Sequence, residues 1–346
     1  MEQMQILLAI LVLLPFVSAL LLALCGSDRM RRLIVYGSAG VLMISAVAFA
    51  VCFFSGENLQ LRFLQSGGII DHTMLALEAG FAVLITVLGI KYRRYYVAVL
   101  SIVQTVLTFV YELGGYKPAV RPYNLFTDQL TVIMVLIIAV VGTLITVYAV
   151  GYMRDYHNHH KEYTDRRRFF FAMLYVFLGA MFGLVLSNSL LWLYFFWEIT
   201  SIVSFLLIGY TRTKEAVQNS FRALWMNLLG GLGFAAAIFW AGVRFGITDL
   251  QSLILCDGKL VVAPVILLAF AALTKSAQLP FSRWLLGAMV AHTLLCTVAQ
   301  RHDGKGRCIP ADPPGAGDVR HLCRLYGEPG RGLYIPDHFH AGHYRP

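Results

Sequence analysis

Two ionisable side chains stand where an apolar helix ordinarily carries none. Glu198 follows Trp197 inside the run 190–210, and Lys275 sits in Ala271-Ala272-Leu273-Thr274-Lys275-Ser276-Ala277-Gln278-Leu279-Pro280. Charge inside apolar surroundings is costly, which makes both residues functional candidates. A carboxyl there becomes neutral unless a cation lies near it, and a buried lysine holds its proton only while a carboxylate stabilises the charge. Moving charge on one group therefore makes the other bind or release a proton. Two plainer readings remain open: Glu198 as a neutral carboxyl hydrogen-bonded to a neighbouring helix, and Lys275 as a side chain reaching the interface from a helix end. Pro280 removes a backbone donor and is expected to break or kink its helix, which a membrane tolerates only inside protein or beside a wet cavity.

Other polar residues carry weaker signals. Asp128 precedes an apolar run and is read either as a helix cap or as a carboxylate for proton uptake. Glu78 lines a cavity or lies at an interface. His157, His159 and His160 belong to a charged loop and read as solvated. Gly230, Gly231 and Gly233 suggest a surface where helices approach closely, with no strand before them to form a phosphate loop. No GxxxxGK[ST], HExxH or GxSxG constellation occurs, so catalysis of the soluble-enzyme kinds has no support. Cys25, Cys52 and Cys256 lie in or beside apolar runs and read as packing residues, implying neither disulfide nor metal nor cofactor.

The elements that must position Glu198 and Lys275 are membrane helices. Of 346 residues, 58% are hydrophobic and 14% charged, against about 25% charged in soluble proteins. A bilayer core requires about 20 apolar residues per helix. Nine runs qualify, at roughly 5–25, 33–54, 74–90, 95–113, 130–153, 169–186, 190–210, 222–242 and 261–279. The fold expected is an all-α polytopic bundle. The first run is read as a span because it lacks the positive n-region and cleavage site of a signal peptide. The loops at 26–32, 91–94, 154–168 and 211–221 hold 13 Lys and Arg, and those at 55–73, 112–129, 187–189 and 243–260 hold 5. Positive loops stay cytoplasmic, which puts the N-terminus outside and accounts for most of the +9 net charge without a nucleic-acid partner.

The segment Phe195-Phe196-Trp197-Glu198-Ile199-Thr200-Ser201 through Ser204-Phe205-Leu206-Leu207-Ile208-Gly209, with Thr274–Phe281 and Trp284, resembles the antiporter-like membrane subunits of respiratory complex I and of Mrp cation/proton antiporters. Within that family it resembles subunit 5 (chain L) of NADH-quinone oxidoreductase and the Mrp A chain. Val147–Met153 and Gly179-Ala180-Met181 fit as well. The resemblance is strong over 125–291. Residues 1–120 match in hydropathy alone, with 74–90 and 95–113 an additional pair of spans.

The resemblance implies a proton-translocating core at 121–291, with Glu198 in the position of the family's essential glutamate. Lys275 then takes the place of the lysine on its discontinuous helix. It implies coupling of electron transfer to proton movement in a complex I-like assembly. The alternatives are an Mrp-type sodium/proton antiporter subunit or the membrane subunit of an energy-converting hydrogenase. Other membrane subunits, lipid, protons and sodium are the partners implied, in the inner cell membrane, with no redox chemistry in this chain itself. Asp128-Gln129-Leu130 departs from the family's Asp-Gly-Leu, which weakens the transfer at Asp128. Gly287 agrees with Mrp chains.

From His292 onward the composition changes. Residues 292–346 hold 6 of 10 histidines, 6 of 11 prolines and 3 of 6 cysteines, with no long apolar run. Such a segment cannot offset its ordering entropy and is expected to be disordered. The spacing of Cys308, His321, Cys323, His338, His340 and His343 fits no zinc module. Reading codons for Asp303–Pro310 one base later permits Met-Val-Lys-Ala-Gly-Val-Tyr-Leu, a string the family carries there. The tail is therefore expected to be out of frame from about Ala291, leaving an incomplete antiporter-like fold. Resequencing codons 285–310 should reveal one inserted or missing base whose correction restores further apolar spans; an unbroken frame with no alternative beyond it refutes this.

Overall fold

Helix α1 (Glu2–Leu24) is apolar on all sides and, at about 1.5 Å per residue, long enough to cross a bilayer core of about 30 Å. The structure, a computed structural model, describes residues 2–55, 61–65, 69–114, 123–160, 163–256 and 261–285. All of them fall in one unit, Met1–Ala291. Gly287 and the segment 292–346 lie outside the described residues.

After α1 come α2 (Asp28–Phe54), β1 (Leu61–Gln65), α3 (Ile69–Lys91), α4 (Tyr95–Leu113) and β2 (Tyr123–Thr127). Next, α5 (Gln129–Ile137) runs through a π-helical turn, Ile138–Gly142, into α6 (Thr143–His159). The chain continues with α7 (Arg167–Leu186), α8 (Leu190–Ile208), α9 (Lys214–Phe245), a short α10 (Leu250–Leu255) and α11 (Val262–Lys275). Among the described residues, eight helices, counting α5–α6 as one, are long and apolar enough to span a membrane. The chain is a multi-pass, all-α membrane protein.

Two expectations need correction. The ninth run, 261–279, forms a helix of 14 residues, about 21 Å long and too short to span. Its end also precedes Pro280. Gln278 N–H bonds Leu273 O at 3.1 Å and Ala277 N–H bonds Thr274 O at 3.3 Å, with Ala277 left-handed at φ 53°. This is a Schellman termination, which ends the helix at Lys275, before the proline is reached. The loop 211–221 is also largely helical, because Thr213 caps α9 by accepting from Ala216 N–H at 3.2 Å.

The four positively charged connections gather at one end. Arg167 reaches Asp165 at 2.6 Å and Asp28 at 3.5 Å. Arg166 N–H donates to the Tyr210 hydroxyl at 3.3 Å, and the Tyr92 and Phe221 rings lie 5.2 Å apart. At the other end Asn188 N–H bonds Asn124 O at 2.7 Å and Leu250 N–H bonds Asn188 O at 2.8 Å. There β1 and β2 pair antiparallel, Leu61 opposite Thr127 and Gln65 opposite Tyr123. This ribbon, absent from the sequence expectation, ties together the two ends of the α3–α4 insertion.

Packing runs α2–α1–α7–α8–α9–α11, with α4 laid on α9 and α3 on α4 and α8. The approach of α11 to α9 depends on Gly230 and Gly233: a Cβ at Gly233 would meet Phe270 at 2.9 Å, and one at Gly230 would collide with Thr274. Close approach through small residues is what membrane helices use in place of hydrophobic driving force.

The Asp165 carboxyl is lowered from 3.8 to about 2, chiefly by its hydrogen bond from Arg167. Because its folded value lies below the unfolded one, its stabilisation is complete above about pH 4 and fades as pH falls towards 2. In detergent, Asp165→Asn should be less stable than wild type at pH 5 and converge with it near pH 2. A gap independent of pH contradicts the ion pair.

Candidate functional site

Glu198 is buried near the middle of α8, 4% exposed. A carboxyl there requires polar partners. Tyr194, one turn earlier, donates its hydroxyl to Glu198 Oε1 at 2.9 Å, and Gln104 of α4 donates Nε2 to the same oxygen. Gln104 belongs to a buried stripe on α4, Ser101, Gln104, Thr108 and Tyr111, whose three- and four-residue steps put it on one face. Gly231 of α9 leaves room for the amide: a Cβ there would meet Gln104 Oε1 at 2.8 Å.

Lys275 is the last residue of α11, where the negative end of the helix dipole favours a cation. Its Nζ donates to Ser201 Oγ at 2.7 Å and to Trp197 O at 3.4 Å. The same nitrogen lies 5.0 Å from the centre of the Trp197 ring, a cation–π contact. The lysine is thus held by neutral groups of α8, one helical turn from Glu198, and the two charges do not form a direct ion pair. Trp284 closes the helix end by donating Nε1 to Thr274 O at 3.0 Å, so the chain beyond Pro280 folds back beside Lys275.

Glu78 of α3 adds a second buried carboxyl, 3% exposed. It accepts from Thr108 Oγ1 at 2.6 Å, and it lies close enough to Tyr194 and Glu198 to act on both electrostatically. Between Gln104, Trp197, Glu198, Ser201 and Asn227 lies a small cavity, with about 10 Å³ open to the centre of a water molecule, room for one water. Gln104 Oε1, Trp197 Nε1 and Asn227 Oδ1, all on its wall, are buried without a protein partner. The result is a polar layer from Glu78 through α4 and Glu198 to Ser201 and Lys275, inside an otherwise apolar bundle.

Among the expected residues, then, Glu198 and Lys275 come together and Glu78 joins them. Asp128 does not. It caps α5, its Oδ1 accepting from Thr131 N–H at 2.8 Å, as the capping alternative anticipated. Pro280 lies five residues past the end of α11. His157 is not simply solvated, since its Nε2 lies 2.8 Å from the Tyr210 hydroxyl. Gly230 and Gly233 face α11, whereas Gly231 faces α4. Sequence reasoning passed over Gln104, Tyr194, Thr108 and Ser201 as site residues. The available signals were the polar stripe on α4 and the spacing of Tyr194 and Ser201, four residues before and three after Glu198. Among the described residues, no group of three or more His, Cys, Asp or Glu side chains is placed to hold a metal ion.

Two family models match, in chain order. Residues 121–170 match the N-terminal part of chain 5 of NADH-ubiquinone oxidoreductase (complex I). Residues 187–298 match the transmembrane segment of NADH:quinone oxidoreductase and Mrp antiporters, which contains both Glu198 and Lys275. Over these two segments the chain is similar to the antiporter-like membrane subunits of complex I and Mrp. The family's second match runs past Ala291, and α3 and α4 lie outside both.

Among its relatives is the Na(+)/H(+) antiporter subunit A1 of Staphylococcus haemolyticus, strain JCSC1435, 31% identical over 205 residues. That alignment covers 58% of this chain and 24% of the relative. The subunit A1 of Staphylococcus aureus, strain JH9, is 28% identical over 244 residues, covering 64% and 30%. The chain therefore spans about a quarter to a third of the length of these relatives. Similar solved structures include the Mrp complex from Dietzia sp. DQ12-45-1b, at 24% identity and TM-score 0.43 over 65% of this chain and 26% of that one. An archaeal membrane-bound sulfane sulfur reductase is also similar, at 18% identity and TM-score 0.43 over 65% and 48%.

Gln104→Leu should cost about 1–3 kcal/mol, because it removes a donor from a buried carboxyl and leaves that oxygen less satisfied. Thermal unfolding of the chain in detergent measures this. Wild-type stability would detach Gln104 from Glu198.

Proposed function

We propose that the chain is the proton-translocating part of a membrane subunit in a complex I-like assembly, with Glu198 and Lys275 carrying the charge changes. The observation that supports this most is the placement of Lys275 on neutral acceptors one turn from buried Glu198. A charged carboxylate at that distance favours the protonated lysine, and a neutral one favours release. No direct ion pair must be broken for the lysine to exchange its proton, and Ser201 Oγ accepts from its Nζ at 2.7 Å. The membrane subunits of the same assembly are its proposed partners, and energy reaches the pair as a change of charge on Glu198.

The similarity to the Staphylococcus Na(+)/H(+) antiporter subunits A1 favours a second reading, an Mrp-type exchanger subunit driven by sodium in place of electron transfer. Both readings use the same pair. Sodium-dependent proton movement without an electron donor distinguishes the second from the first.

In membrane vesicles holding the assembled complex, Glu198→Gln and Lys275→Ala should each abolish dye-detected proton movement. Because the residues act as one unit, the double variant should be little worse than either alone. If both single variants assemble and transport at the wild-type rate, the assignment fails.

The proposed setting is the inner membrane with the N-terminus outside, following the positive-inside rule. The loops that carry 13 Lys and Arg in total then face the cytoplasm. A cysteine introduced at Asn158 should resist an impermeant reagent in intact cells and react after permeabilisation. Labelling in intact cells reverses the orientation.

A further inference from the structure

Away from the buried pair, the positively charged end of the bundle carries an open groove between α4 and α9. It has about 270 Å³ of free space and is lined by Arg94, Tyr96, Gln218, Arg222 and Trp225. Arg222 is exposed and Arg94 half-buried. The groove also sits at the start of α4, whose cap residue Arg94 makes no side-chain cap hydrogen bond, so the positive end of that helix dipole is uncompensated there. Tyr96 meets Trp225 edge to face, with ring centres 6.5 Å apart. The groove therefore pairs two guanidinium groups with an aromatic wall.

What lies next to it on the helices decides the kind of ligand. Going down α4 from Tyr96, Val99, Val103 and Val106 are exposed in one stripe, at the three- and four-residue steps of a single helix face. On α9, Gln218, Arg222 and Trp225 lead along the outward face to Trp240, which is 50% exposed. Arg222 stands where the apolar run 222–242 begins, one turn from Trp225 and next to the positively charged connections, which puts it at headgroup depth. An anion held by Arg94 and Arg222 would have an apolar stripe running from it into the hydrocarbon.

We propose that this groove binds an anionic phospholipid, its phosphate between Arg94 and Arg222 and an acyl chain along Val99, Val103 and Val106. Guanidinium groups suit this role because their planar donors match phosphate oxygens in pairs. The nearby cations Lys91, Arg93 and Lys214 add to the field, and Glu215 on the first turn of α9 opposes it. Neither arginine takes part in the buried layer around Glu198, so the site stands independently of the transport reading.

Trp225 reports on the groove directly. The full chain is placed in nanodiscs containing phospholipids with brominated acyl chains, and the Trp225 signal is isolated by difference from Trp225→Phe. Two near-surface arginines predict quenching at about tenfold lower mole fraction of phosphatidylglycerol than of phosphatidylcholine. Arg94→Gln with Arg222→Gln should erase that preference while phosphatidylcholine quenching stays unchanged. If the double variant does not fold, Arg222→Gln alone, at an exposed position, should reduce the preference. Equal quenching by the two lipids overturns the proposal, as does a preference that survives the variants. Loss of the preference on adding millimolar inorganic phosphate also overturns it, since the groove would then take a free anion.

Discussion

A carboxyl buried in an apolar helix bundle must be supplied with polar partners from the helices around it, and that requirement organises the centre of this molecule. Glu198 draws donors from its own helix through Tyr194 and from α4 through Gln104. Each partner is itself a polar group in an apolar setting and needs its own place. Gln104 fits because Gly231 has no side chain, and Thr108 is satisfied by Glu78. The burial of one charge thus explains a polar stripe on α4, a glycine on α9 and a second carboxyl on α3.

The lysine obeys the same constraint by different means. An ammonium on a spanning helix would need a counter-charge, but α11 stops at Lys275, and the negative end of its dipole favours a cation. The Schellman turn, the Trp284 indole on Thr274 and the indole face of Trp197 together make a polar terminus within the bundle. Small residues make this possible: with bulk at Gly230 or Gly233, α11 could not approach α9, and Nζ would not reach Ser201. Lysine position is therefore set by helix packing as much as by charge.

The insertion α3–α4 shows how an addition outside the family-matched segments takes part in the centre. Its ends are joined by the β1–β2 ribbon, and its inner face supplies Gln104, Thr108 and Glu78 to the polar layer. Its outer face and first turn supply the aromatic and basic groove. One helix thus faces both the buried site and the surroundings of the bundle, and the alternation of its polar and apolar residues keeps the two apart.

Hydropathy by itself determined that this is a helical membrane protein, because the bilayer leaves few other ways to satisfy the backbone. The position of the spans followed, as did the segregation of positive loops. Glu198 and Lys275 were also legible, since charge in an apolar run is rare enough to stand out without any contact map. What the linear pattern could not supply was partnership. Gln104 lies 94 residues from Glu198 and Ser201 lies 74 from Lys275, and no local rule relates such pairs. That α11 breaks near Lys275 was legible, but the left-handed turn at Ala277 that forms its end was not, because proline is the stronger local signal. Asp128 had two readings of equal standing on sequence, and its bond to Thr131 N–H became visible only in three dimensions. Side-chain chemistry is written in residue types, whereas which groups meet depends on helix packing, and that is decided in three dimensions.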